Sequence, residues 1–147
     1  MFRLSQRADY GLILLSNFAT HYDKASRVKK AMEDKSSRFI SISSVANKHK
    51  ISPKFLSQIA QELKKAGILT SKEGISGGYT LAKKPAEIKL LDVLKVLEGE
   101  LVEGKCFEDD HECACGARDM WVDMKKQMEE TIGRKTVADL VIGGNNG

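Results

Sequence analysis

Between residues 41 and 79 the apolar positions change their period, and the change marks the centre of the chain. Phe55, Leu56, Ile59 and Leu63 recur at helical spacing and make one apolar face. Lys54, Ser57, Gln58, Gln61 and Lys65 fall on the other side. Ser52 suits an N-cap, Pro53 a first helical position and Gly67 a C-terminal stop. Upstream, residues 42–49 read as a short amphipathic helix opening at a serine, with Lys50 and Ile51 as the tight turn that follows. This is helix-turn-helix punctuation, with a second helix that exposes small polar and basic groups. Past Gly67, residues 68–72 suit a strand, 73–78 a glycine-rich turn and 79–82 a returning strand. A hairpin after a helix-turn-helix predicts a winged helix. Gly77 and Gly78 do not make a nucleotide-phosphate loop, because no Lys-Ser/Thr pair or following helix completes one.

The flanks add helices. Residues 2–19 predict a first helix, capped at Ser5, with Tyr10, Leu12, Ile13, Leu14, Leu15 and Phe18 as a broad apolar face. Arg3 and Arg7 near its start are candidates for phosphate contact. Asp9 reads locally as a solvated or Arg-paired carboxylate favoured by the helix dipole. Residues 20–39 are highly charged and irregular, and predict a mobile insertion with at most a short helix around Val28, Ala31 and Met32. Residues 83–86 form a basic turn. Residues 90–97 predict a strongly apolar helix that stops at Gly99 and is buried on more than one side. From 118 to 132 a further helix carries Trp121, Met124 or Lys125, Met128 and Ile132 along one stripe, the pattern of a core or dimer face. Thr136 and Asp139 resemble a capping box opening a last short helix through Val141. Residues 143–147 read as a disordered tail.

At 147 residues the chain makes one domain, or one domain with an appendage. Its 41% hydrophobic and 30% charged residues are those of a globular protein, and no run is apolar enough to cross a bilayer. The N-terminus lacks the pattern of a secretory signal, so the expected compartment is the cytoplasm. Charge is divided unevenly. Residues 1–98 hold 18 basic and 9 acidic residues, a balance of +9; residues 99–147 hold 6 and 11, a balance of −5. The basic part contains the helix-turn-helix, which points to a polyanion partner.

Cys106, Cys113 and Cys115 lie within ten residues. An odd trio in a reducing compartment argues for metal ligation or redox chemistry over a disulfide framework. Thiolates suit both zinc and iron–sulfur clusters. His111 in the same stretch makes a Cys-Cys-Cys-His zinc site a real alternative. Glu108, Asp109, Asp110 and Glu112 oppose thiol ionisation, an effect a bound metal overcomes. An enzyme built on a reactive cysteine lacks support, since no constellation supplies a base or an oxyanion hole.

Taken together, several stretches resemble the Rrf-two family of winged-helix repressors, which includes the iron–sulfur regulator IscR. They are Arg3-Leu-Ser-Gln-Arg-Ala-Asp-Tyr-Gly11, Ile51-Ser-Pro-Lys-Phe-Leu56, Leu63-Lys-Lys-Ala-Gly-Ile-Leu69, Gly77-Gly-Tyr-Thr-Leu-Ala82 and Cys115-Gly-Ala-Arg-Asp-Met-Trp121. The resemblance covers nearly all of residues 2–140, and the flavour is similar to the SUF-system regulator branch. It implies a homodimer paired through the long helix after the cysteines, at Trp121, Met124, Met128 and Ile132. It also implies a palindromic double-stranded operator, touched by Arg3, Ser52, Lys54, Ser57, Gln58, Lys72 and Gly77.

Many members hold a 2Fe-2S cluster through three cysteines of this loop. Their fourth ligand is a His three residues after the last cysteine, here Arg118, or a carboxylate early in the first helix, here Asp9. The resemblance therefore makes Asp9 the favoured fourth ligand, ahead of His111. The chain departs from the family in four places: the close Cys113–Cys115 spacing, Glu73 where some relatives insert an Arg into the minor groove, Ser57 where some use an acidic base-reading residue, and a longer insertion at 21–38.

The expectation is a mainly α chain with a small β-hairpin. Residues 1–98 form the winged-helix DNA-binding domain and 99–116 the cysteine-bearing sensor loop. Residues 117–142 form the dimerisation and C-terminal helices, and 143–147 the tail. The expected function is a cytoplasmic, non-enzymatic, cluster-sensing repressor; the alternative is a regulator with a structural zinc or a thiol switch.

Overall fold

The computed structural model describes residues 5–27, 38–75, 77–100 and 116–141. In chain order the elements are α1 (Gln6–Arg27), α2 (Ile42–His49), α3 (Pro53–Lys65), β1 (Leu69–Lys72), β2 (Gly78–Leu81), α4 (Leu90–Glu98) and α5 (Gly116–Gly133). Short 3-10 turns cover Pro85–Glu87 and Val137–Leu140. The fold is a mostly helical one with a two-stranded antiparallel sheet.

Helix α1 is the central beam. Ala8, Gly11, Leu14, Leu15, Phe18 and Ala19 are buried along it, at the three- and four-residue steps of one helical face. The helix starts at Ser5, whose hydroxyl accepts the Ala8 N–H at 3.3 Å. It does not stop at residue 19: residues 20–27, expected as irregular insertion, continue the helix. The apolar step carries on to Tyr22, which packs against the core, and Asp23 pairs with Arg27 one turn on at 3.0 Å. Residues 28–37 of the expected insertion lie outside the described residues.

The helix-turn-helix forms as its punctuation predicts. Ser41 caps α2 by accepting the Ser44 N–H at 3.2 Å, and Lys50 ends it in the left-handed region, φ 55°. Ser52 caps α3 by accepting the Phe55 N–H at 3.4 Å, with Pro53 in the first turn. At the far end, Ile68 N–H reaches Leu63 O at 2.9 Å and Gly67 N–H reaches Lys64 O at 3.0 Å. That pair of bonds, with Gly67 at φ 79°, is a Schellman stop, and the buried Ile68 and Leu63 seal it.

Strands β1 and β2 pair from Leu69 with Leu81 to Lys72 with Gly78. Leu69 and Leu81 are buried at the base and anchor the hairpin there. Ile40 adds a bridge to Tyr79 through two bonds of 2.9 Å.

Helix α4 stops at Gly99 as expected and buries Val93, Leu94 and Leu97. A Cβ on Gly11 would overlap the Leu97 side chain, so that glycine lets α1 and α4 approach closely. The expected last helix is a 3-10 turn, Val137–Leu140, with Asp139 accepting the Thr136 N–H at 2.8 Å. Two backbone bonds hold this segment to the start of α4: Val137 N–H to Ile88 O at 2.9 Å, and Leu90 N–H to Lys135 O at 3.1 Å. Val137 is fully buried, and Ser16 of α1 donates to Leu140 O at 2.7 Å. Residues 143–147 are outside the described residues.

Candidate nucleic-acid interface and sensor segment

Helix α3 turns Leu56, Ile59, Ala60 and Leu63 inward. Lys54, Gln58, Gln61 and Lys65 are all exposed and share the opposite face, three or four residues apart. Ser57 beside them is half-buried, and Ser52 is exposed at the N-terminus. The face thus offers two cations, two amides that both donate and accept, and an exposed, Ser52-capped helix N-terminus. Those are the groups that meet phosphates and base edges. Lys72 is exposed at the end of β1. Gly77 is half-buried in the wing turn, where a Cβ would overlap Lys72 O and sit 2.8 Å from Gly74 O. Its role in the hairpin is therefore to close the turn, which it does through its N–H to Gly74 O at 3.0 Å. Arg3 lies outside the described residues.

Several contacts that the sequence did not signal hold this face in place. Arg7 of α1 pairs with Glu62 of α3, so the arginine considered for phosphate contact is engaged with the recognition helix. Lys64 donates to Ser71 and ties the end of α3 to β1. Tyr10 meets Phe55 edge-on, with ring centroids 5.6 Å apart. Asn17 bridges α1 to α2: its Nδ2 donates to Ile13 O at 2.8 Å and lies 2.9 Å from His49 Nε2, while Lys48 donates to its Oδ1 at 3.3 Å. Ser5 donates both its N–H and its hydroxyl to Glu98 at the end of α4. The first turn of α1 is thereby joined to α3 and to α4 at once.

Asp9 stands in that first turn, exposed to solvent. Its carboxylate has no hydrogen bond or ion pair among the described residues. Cys106, Cys113, Cys115 and His111 fall outside the described residues, between the end of α4 and the start of α5. Among the described residues no cluster of three or more His, Cys, Asp or Glu forms a metal site.

Helix α5 has no fully buried residue. Trp121 is 37% exposed, Met120 55% and Val122 46%. Met124, Met128 and Ile132 are half-buried. Lys125 pairs with Glu100 at 3.1 Å. No helix among the described residues is long and apolar enough to cross a membrane.

A family model described as Rrf2, iron-dependent transcriptional regulator, matches residues 4–142. Protein rrf2 of Nitratidesulfovibrio vulgaris is 32% identical over 143 residues, 95% of this chain and 87% of that relative. The solved structure of CymR, the global cysteine regulator of Bacillus subtilis, is similar at a TM-score of 0.72 and 29% identity, covering 95% of this chain and 96% of that one. The structure of IscR from T. potens is similar at a TM-score of 0.69 and 28% identity, covering 94% and 85%.

Proposed function

This chain belongs to the Rrf2 family of DNA-binding transcriptional regulators, and we propose that it is a cytoplasmic homodimeric repressor of a palindromic operator that senses an iron–sulfur cluster. The observation that carries the DNA-binding half is the polar face of α3, with Lys54, Gln58, Gln61 and Lys65 on one exposed side and four buried residues on the other. Ser52, Lys54, Ser57 and Gln58 meet the major groove and its flanking phosphates, Arg3 and Lys72 reach backbone, and Gly77 shapes the wing. Residues 1–98 serve as the reading domain, 99–116 as the sensor and 117–142 as the dimerisation segment. Trp121, Met124, Met128 and Ile132 meet the same residues of a second copy.

The donor set suits a 2Fe-2S group. Three thiols in ten residues fall one short of four ligands, and the exposed Asp9 carboxylate, which has no partner among the described residues, supplies an oxygen. Cys106, Cys113, Cys115 and Asp9 would hold it. When bound, such a group supplies a crosslink that is labile to redox change. The rest is done by this chain's own contacts. Arg7 lies two residues from Asp9 and holds Glu62 on α3; Ser5 lies four residues from it and holds Glu98, where the cysteine segment begins. A constraint added or removed at Asp9 therefore loads the beam that positions the recognition helix, and DNA affinity follows. The test uses duplexes that the protein itself enriches from a random-sequence pool. Anaerobically purified protein and the same protein after iron chelation should differ at least fivefold in affinity. Equal affinities would refute the sensing half and leave DNA binding intact.

A second reading keeps the reader and replaces the cluster with a thiol switch or a zinc held by the cysteines and His111. It is favoured by one observation: the cysteine regulator CymR matches this chain as closely as IscR does.

A further inference from the structure

The wing carries a residue that its turn does not require. Ile75 at the hairpin tip is 108% exposed, more than an isolated residue in an extended chain. Among the described residues the other large exposed apolar side chains, Val96, Met120, Trp121 and Val122, belong to α4 and α5, away from the hairpin in the chain. Turn chemistry favours Gly, Asn, Asp, Ser or Pro, and a β-branched side chain helps neither the turn nor the core. Described bonds of the hairpin lie on either side of it. Gly74 is at φ 114°, Gly77 N–H bonds to Gly74 O at 3.0 Å, and the ladder is closed by the Lys72–Gly78 pair. Gly74, Gly77 and Gly78 around it carry no side chains. Lys72 stands at its root as a cation for the flanking backbone.

We propose that Ile75 is a minor-groove wedge: the wing enters the groove beside the major-groove site of α3, and the isoleucine presses apolar surface between base steps. The groove is about 6 Å wide and 7.5 Å deep, and apolar wedges unstack and kink the steps they enter. The wedge gives this chain a way to read DNA deformability, favouring flexible pyrimidine–purine steps under the wing. It replaces the charge that Glu73 cannot offer with apolar contact. The proposal rests on the DNA-binding reading of the wing.

Ile75→Ser tests it, with Ile75→Met as the conservative partner. The probe is a duplex enriched by the wild-type protein from a random pool. Ile75→Ser should bind it roughly 10- to 100-fold more weakly, the equivalent of burying one such side chain. The slope of log affinity against log salt should stay unchanged, since no phosphate contact is lost. The bend measured by circular permutation should fall, and Ile75→Met should restore both bend and affinity. Ile75→Ser binding with wild-type affinity and bend overturns the wedge alone. A wild-type chain that enriches no duplex overturns DNA binding and the wedge with it.

Discussion

Gly78 is where the wing, the strand-like segment at Ile40 and the backbone of Ser41 converge. Its φ is 148°, and a Cβ there would overlap the Ile40 carbonyl oxygen and sit 2.5 Å from the carbonyl carbon and 2.9 Å from Ser41 N. All three are backbone atoms, so no side chain can swing aside. Gly78→Ala therefore has to separate the two segments and lose both 2.9 Å bonds between Ile40 and Tyr79. Two such bonds contribute about 2 kcal/mol net, and a side chain held at this φ adds roughly 1–3 kcal/mol of strain. The expected destabilisation is roughly 3–5 kcal/mol by those figures, a fall in Tm on the order of 10–15 °C for a chain of this length. Gly67→Ala is the control: its φ is also positive, at 79°, but nothing lies within 4 Å of the added Cβ, so only strain remains. Urea unfolding followed by circular dichroism gives both values, and hydrogen exchange at the Ile40 and Tyr79 amides locates the damage. If Gly78→Ala costs no more than Gly67→Ala, or those two amides stay protected, the convergence at Gly78 is not what holds the wing.

Lys54→Ala should lower the salt slope of DNA binding by about one if the lysine meets a phosphate; a changed sequence preference at constant slope would assign it to a base edge, and no change in either would remove α3 from the interface. Met128→Glu should shift the sedimentation of the protein towards monomer, because a half-buried methionine on α5 would become a charge in the proposed dimer face; a dimer indifferent to it excludes that face. Asp9→Ala should leave folding and dimerisation intact and shorten the lifetime of the visible chromophore in air, whereas His111→Ala should do little; the reverse result assigns the fourth ligand to the histidine.

The parts of the fold legible in the sequence are those set by local chemistry. Ser41, Ser52, Pro53 and Gly67 each act within one helical turn, and each does in the structure what its residue type predicts. The end of α1 was not legible. Asp23, Lys24 and Arg27 make the stretch look like solvated loop, while the residue that extends the helix, Tyr22, does so through tertiary packing. Thr136 and Asp139 do form a capping pair, the signal that predicts a helix for the last segment. A bond from Val137 N–H to Ile88 O and one from Leu90 N–H to Lys135 O, both to residues far away in sequence, hold it as a 3-10 turn. The same limit applies at the site. The polar face of α3 is a spacing pattern and could be read directly. Ser5 with Glu98 and Arg7 with Glu62 join residues 93 and 55 positions apart, and no local signal encodes such pairs. Asp9 is the sharpest case: by local chemistry it is an ordinary first-turn carboxylate, and only the resemblance to the family proposes it as a ligand.

Sensing turns on what the cysteine segment and Asp9 hold. The direct measurement is the visible absorption spectrum of anaerobically purified protein together with its iron, sulfide and zinc content. A cluster held by Cys106, Cys113, Cys115 and Asp9 predicts a coloured protein with two irons and two sulfides per chain, bleaching on exposure to air. Stoichiometric zinc without iron or sulfide, or a colourless chain with three titratable thiols, would contradict it.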